Sequence, residues 1–204
     1  MTPTATVPAT LIQPAMGSRQ RILLVAARLF RERGYHATTI RAISEPVGML
    51  SGSLFHHFRS KHQILLEVMR EAAVQLCEKA ESALATTNAP LDRLRALIRV
   101  QLQCLTGADT HDFYAVMIGE WREIPDTDRH ELTTLRLQYK SLWQTVTKEC
   151  ADAGLLRRDP RLTRLILHGA INWAAMWFRP SGAQNVDGLV DTLVDLVLDN
   201  HYRP

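Results

Sequence analysis

From residue 18 onward, apolar residues return at the spacing of a helix facing a core rather than in the alternation of a strand. Ile22, Val25, Ala26, Leu29 and Phe30 fall at i, i+3, i+4, i+7 and i+8, the stripe of an amphipathic helix. Ser18 is placed to cap it, and Gly34-Tyr35 to end it. Two short helices fit residues 39–45 and 51–58, with Thr39 as the N-cap of the first and Gly48 in the turn between them. A long helix fits 60–85 with Ser60 as its cap. Pro90 opens another to residue 105, and a shorter one covers 111–122 before Ile124-Pro125. A long amphipathic helix follows from Asp126 to Gly154. The next runs from Pro160 to Phe178, broken by Arg179-Pro180-Ser181-Gly182. The last carries Val186, Leu189, Val190, Leu193, Val194 and Val197 on one side. On its other side Asp187, Asp191, Asp195 and Asp199 form a row of like charges, unfavourable unless bases or water offset it. No segment alternates as a strand, so the expected fold class is all-α, with about nine helices.

The ends and the composition narrow the class. Residues 1–17 lack charge and contain Pro3, Pro8 and Pro14, which predicts a disordered arm rather than a signal peptide. Met16, just before the first helical stripe, is an alternative start to Met1. No stretch reaches the roughly 18 uninterrupted apolar residues of a membrane span. With 46% hydrophobic and 22% charged residues the chain can bury a sizeable core. Cys77, Cys104 and Cys150 are odd in number and widely spaced, so neither a disulfide framework nor a metal pair is indicated. The expectation is a cytoplasmic protein without metal or cofactor.

The net charge of +3 conceals an asymmetry. Residues 18–62 hold eight Lys or Arg against Glu32 and Glu45, a net of +6, and the remainder nets −3. A basic head on a slightly acidic body points to a polyanion at one end. Within that head, residues 34–66 read GYHATTIRAISEPVGMLSGSLFHHFRSKHQILL. Two short helices, a Gly-containing turn and a supporting helix make a helix-turn-helix. Ile40, Ile43, Val47, Leu54 and Phe58 are the inward residues. Ser51, Gly52, Ser53, His56 and His57 are small or polar residues on the opposite face, suited to close approach to base edges. Arg41, Arg59 and Lys61 flank them with charge for a phosphate backbone.

At these residues the chain resembles the TetR family of bacterial transcriptional repressors. The resemblance is carried by Gly34-Tyr35, Thr38-Thr39-Ile40, Ile43-Ser44, Gly48-Met49-Leu50, Gly52-Ser53-Leu54-Phe55, His57-Phe58 and Ser60-Lys61, about 45 residues with the family spacing intact. It implies a helix-turn-helix DNA-binding domain over 18–62 and a ligand-binding and dimerisation domain over 63–204. By position, Thr38, Thr39, Phe55, His57 and Lys61 are expected near the DNA backbone, and Arg41, Ser51, Ser53 and His56 near bases, with Gly52 allowing close approach. Three departures stand out. Leu50 replaces the usual Ser or Thr cap, Phe55 replaces a phosphate-reaching Tyr, and Pro46 is expected to shorten or kink the first short helix.

The body carries all four tryptophans. Phe113, Met117, Trp121, Trp143, Trp173 and Trp177 are candidates to line a hydrophobic effector pocket, with Asn172 as its polar handle. Most such apolar residues in an all-α domain are simply core, and Asn172 is equally readable as a hydrogen-bonded helix-interface residue. Between residues 139 and 182, Gly154-Leu155-Leu156, Asp159-Pro160, Gly169-Ala170-Ile171-Asn172-Trp173 and Trp177-Phe178-Arg179-Pro180 resemble the subgroup that controls fatty-acid, phenylacetate and sterol-ring degradation. That resemblance implies an acyl-CoA effector, with its nucleotide near bases such as Arg95, Arg99, Arg136 or Lys140. Leu165, Gly169, Ala170, Leu189, Leu193 and Val197 are the expected homodimer interface, pairing two recognition helices for a palindromic operator. No GxSxG, HExxH or P-loop pattern supports an enzyme. An efflux-pump repressor sensing lipophilic drugs and a sequence-nonspecific nucleic-acid binder are the rival readings, and repressor and activator are not separated.

Overall fold

The computed structural model describes residues 16–179 and 185–199. Most of the expected N-terminal arm and the Pro180-Ser181-Gly182 break lie outside the described residues. Nine α-helices occur among those described: α1 (Ser18–Arg33), α2 (Ile40–Val47), α3 (Ser51–Leu54), α4 (Lys61–Leu84), α5 (Pro90–Thr106), α6 (His111–Gly119), α7 (His130–Asp152), α8 (Pro160–Trp177) and α9 (Val186–Val197), with 3-10 turns at Trp121–Glu123 and Asp126–Asp128. The fold is all-α.

Local chemistry explains most boundaries. Ser60 accepts a bond from Gln63 N at 3.1 Å while the Gln63 side chain accepts from Arg59 N at 2.7 Å, so the start of α4 is held reciprocally, as in a capping box. Asp159 caps α8 through Leu162 N with Pro160 in the first turn, and Asn185 caps α9 through Gly188 N. Ser18 is not a cap. It is the first residue of α1, Gly17 precedes it, and its hydroxyl accepts from Arg21 instead. Pro46 lies in the last turn of α2 and does not shorten it; the helix continues to Val47 and closes on Gly48 in the left-handed region. The break at Ile124-Pro125 reaches further than its sequence suggests. Pro125 keeps Ile124 extended, and 3-10 turns flank it on both sides, between the end of α6 at Gly119 and the start of α7 at His130.

The chain divides into two compact units. Residues 16–72 and 112–131 form the first, so the motif expected over 18–62 is part of a larger body. Its core includes Ile22, Phe30, Ile43, Leu54, Phe58 and Ile64. The described residues of 73–111 and 132–199 form the second, in which α5 packs on both α8 and α9 around Leu94, Leu97, Trp143, Leu167, Ile171 and Val190. Among the described residues an antiparallel bridge between Leu156 and Leu198 pins the end of α9 to the α7–α8 connection, through Arg157 N to Val197 O at 3.0 Å and Asp199 N to Leu155 O at 2.9 Å.

Candidate functional site

The first unit is built around the reversal after α1. Gly34 ends that helix with φ +79°, and the following residues leave carbonyl groups without helical partners. Two side chains satisfy them. Thr38, fully buried, donates its hydroxyl to Gly34 O at 2.9 Å and Leu29 O at 3.2 Å. Lys61 donates its ammonium to Tyr35 O and Thr38 O, each at 2.8 Å, and lies 4.3 Å from the centre of the Tyr35 ring. Both residues, expected near the DNA backbone, thus have their polar groups engaged within this unit. Buried backbone carbonyls must be paired, and here a hydroxyl and an ammonium are committed to that task.

Beyond this corner the chain presents a polar surface. Thr39 caps α2 by accepting from Ala42 N at 3.1 Å. Gly48 N and Met49 N return to Glu45 O and Ser44 O, closing the turn. The Ser44 and Ser51 hydroxyls meet at 3.1 Å and tie α2 to α3. Ser51 thus starts α3 with its hydroxyl occupied, and no side chain caps that helix. Ile43, Val47, Leu54 and Phe58 face inward. Thr39, Arg41, Gly52, Phe55, His56, His57 and Arg59 are exposed, while Ser51 and Ser53 are half-buried. Leu50 stands 80% exposed and Phe55 51%, which puts two apolar side chains among the polar ones. The helical geometry of α3 itself covers one turn, shorter than expected, and residues 55–57 continue as tighter turns.

Residues 112–131 are held to this motif by charge. Arg31 bonds Asp112, Tyr35 N donates to Glu120 at 3.2 Å, His36 meets Glu123 at 2.6 Å, His62 meets Asp128 at 2.9 Å and Arg70 meets Glu131 at 3.0 Å. None of these partners follows from sequence spacing. Burial and the nearby Glu123 raise the Tyr35 phenol above its ordinary range. Phe113 is buried in this unit, and Met117 and Trp121 are half-buried there; the Arg129 guanidinium lies 5.6 Å from the Trp121 ring.

The second unit contains a polar cluster inside an apolar core. Tyr139 donates to Gln101 Oε1 at 3.0 Å, and Gln101 Nε2 donates to Asn172 Oδ1 at 3.0 Å. His168 stacks on Trp143 at 4.6 Å between ring centres, and its Nε2 is buried without a hydrogen-bond partner. Burial, with the Arg164 charge behind it, holds the His168 imidazole down to about 4, so it is neutral at physiological pH. Burial raises the Tyr139 phenol far above its usual range. Of the expected pocket residues, Trp143 and Asn172 belong to this cluster. Gln101, Tyr139 and His168 were not anticipated, because each is an isolated polar residue in a helical stripe with no spacing signal.

Trp173 and Trp177, expected at an effector pocket, are 66% and 51% exposed, on the outer side of α8. Leu189, Leu193 and Val197 are buried within the protomer, where α9 packs on α5, and so do not form an outward seam. The acidic row explains the orientation: Asp187 pairs with Arg99 at 2.9 Å and Asp191 with Arg95 at 2.6 Å, both from α5. Those arginines are thereby engaged. The outward apolar face is instead Leu162, Leu165, Ile166, Trp173, Met176 and Trp177 of α8, with Gly169 exposed among them and Ala170 half-buried at its edge.

A helix-turn-helix with an exposed polar reading face, joined in one chain to a second helical unit with a buried polar and aromatic centre, defines a ligand-responsive, DNA-binding transcriptional regulator. Residues 22–68 match the bacterial regulatory proteins of the tetR family, and residues 87–200 match the tetracyclin repressor-like C-terminal domain. The chain belongs to the TetR family. It is 31% identical over 191 residues to the HTH-type transcriptional repressor KstR2 of Rhodococcus jostii, covering 92% of this chain and 93% of that one. The structure of the superantigen PfiT superposes with a TM-score of 0.75 at 34% identity, over 93% of this chain and 100% of that one. AibR, solved with isovaleryl coenzyme A and operator DNA, superposes with a TM-score of 0.80 at 24% identity, over 88% of this chain and 97% of that one, a likeness of fold. No helix among the described residues is long and apolar enough to cross a membrane, and none of their His, Cys, Asp and Glu side chains gather into a metal-binding group.

Proposed function

We propose that this protein is a cytoplasmic, non-enzymatic homodimeric repressor released from a palindromic operator by a hydrophobic effector carried as an acyl-CoA thioester. The observation behind the effector reading is the Gln101–Tyr139–Trp143–His168–Asn172 cluster. Three helices bring hydrogen-bonding groups and an indole to one place in an apolar core, the mixture that orients a lipophilic ligand. The likeness to the repressor KstR2 along nearly the whole chain and the fold shared with AibR support the same class. The exposed α8 face supplies the dimer seam, and two-fold pairing sets two recognition helices against two half-sites.

On the DNA side, Arg41, Ser53 and His56 act on bases, Thr39, Phe55 and His57 lie along the backbone, and Gly52 permits close approach. His56→Ala then relaxes base preference, costing about 1–3 kcal/mol of discrimination at one position. The effector reading is tested by titrating short-chain, long-chain, aromatic and sterol-derived acyl-CoAs against the protein–operator complex in fluorescence anisotropy. At least one class should release the DNA. Release by free lipophiles with CoA thioesters inert would replace this reading by that of a drug-responsive repressor. Equal affinity for random and operator DNA would remove the repressor assignment altogether.

A further inference from the structure

Between α7 and the first turns of α8 lies an open groove of about 430 Å3. Four of its lining side chains are cationic: Lys140, Lys148, Arg161 and Arg164. The one acid in it, Asp159, is committed to capping α8 at Leu162 N. Lys148 pairs with Asp152. Lys140, Arg161 and Arg164 pair with no carboxylate among the described residues, and the Nε of Arg164 is buried without a hydrogen-bond partner. Elsewhere in this unit the arginines of α5 are treated differently: Arg93, Arg95 and Arg99 each meet a carboxylate at 2.6–2.9 Å.

Convergent cations in excess of the nearby acids repel one another and leave guanidinium donors unused, an arrangement stabilised by a bound polyanion. Phosphates suit it best, because the guanidinium fork matches two phosphate oxygens at once. The groove is also connected to the sensing cluster through one helix. Arg161, Arg164, His168 and Asn172 recur at spacings of three and four residues, so they share one strip of α8. The anionic end of a ligand and its apolar body would therefore follow the same strip.

We infer that this groove binds the phosphates of the effector, the diphosphate end of a coenzyme A thioester. The choice of coenzyme A rests on the acyl-CoA reading above, and the phosphate chemistry on the groove's own cations. The test is isothermal titration of coenzyme A, and separately of inorganic pyrophosphate, into the full-length protein without DNA. Operator release by acyl-CoA is measured in parallel. Both probes should bind, and Lys140→Gln and Arg161→Gln, at exposed positions that leave the fold intact, should each weaken coenzyme A about tenfold, with Arg164→Gln at least as damaging. Melting curves show that the variants are folded.

Absence of binding by either probe to the native protein overturns the inference. So do variants that bind coenzyme A like the native protein, or that lose operator affinity at unchanged coenzyme A affinity, which would make the groove a DNA contact. If both probes bind and the variants weaken them, but no acyl-CoA releases operator, the groove stands as a phosphate site. The acyl-CoA effector is then what falls.

Discussion

Replacing Lys61 by methionine keeps most of the apolar stem and deletes only the ammonium. Two carbonyl oxygens, of Tyr35 and Thr38, lose a donor at 2.8 Å, and the contact with the Tyr35 ring goes as well. A hydrogen bond from a charged donor contributes about 1.5–3 kcal/mol, and a partly exposed cation–π contact about 0.5–1 kcal/mol. Lys61 is half-buried, so water will re-pair part of what is lost. A net loss of about 3 kcal/mol follows, which for a chain of this length lowers Tm by about 6–12 °C. Operator affinity should fall too, because the corner that positions α2 loosens, but the dependence of affinity on salt should barely change. A residue bound to a phosphate would behave in the opposite way. Its loss would leave Tm in place and reduce the slope of log K against log salt by about 0.9. Differential scanning calorimetry and anisotropy at four salt concentrations separate the two. A variant that melts within a degree of the native protein and loses one unit of slope refutes the internal role.

Leu50→Ser should stabilise the first unit by about 1 kcal/mol, because Leu50 is 80% exposed and α3 has no side-chain cap; thermal melting should show a rise of about 2–4 °C. His168 titrates near 4 in the folded chain and near 6.5 when unfolded, so between these values the unfolded state binds more protons and stability falls as pH falls. Up to about 3 kcal/mol should be lost from pH 7 to pH 4, and His168→Gln should flatten that part of the urea-derived stability profile. Ile166→Asp, on the outward face of α8, should give a folded monomer in sedimentation at micromolar concentration. Leu193→Asp, on the α9 face buried against α5, should unfold the second unit in circular dichroism. A monomeric, folded Leu193→Asp protein would restore α9 as the seam.

Local signals carried much of the architecture. Thr39, Ser60, Pro90 and Pro160 mark helix starts because capping and proline chemistry involve only neighbours in sequence. The helix-turn-helix was legible for the same reason, since its turn, its inward apolar residues and its basic flank are contiguous. Where two side chains of equal promise compete, local pattern is silent. Thr38 and Thr39 are adjacent hydroxyls, yet one closes the corner and the other caps α2.

Periodicity also misassigned faces. Both α8 and α9 carry apolar residues on more than one side. The row of Asp187 and Asp191 is turned toward Arg99 and Arg95, and the Leu/Val stripe of α9 is turned inward with it. Ion pairs between residues 88 and 96 positions apart leave no trace in helical spacing. The Gln101–Tyr139–Asn172 chain and the cations around the α7–α8 groove arise in the same way, from residues scattered over three helices.

By itself, then, the sequence determined the all-α class, the helix starts, the basic head and the DNA-reading motif, because each depends on residues within a few turns of one another. Only the tertiary structure decided which polar groups are consumed inside the protein and which remain outside. That depends on pairing across distant segments: Lys61 and Thr38 satisfy buried carbonyls, Arg95 and Arg99 are neutralised, and Lys140, Arg161 and Arg164 are left facing an open groove.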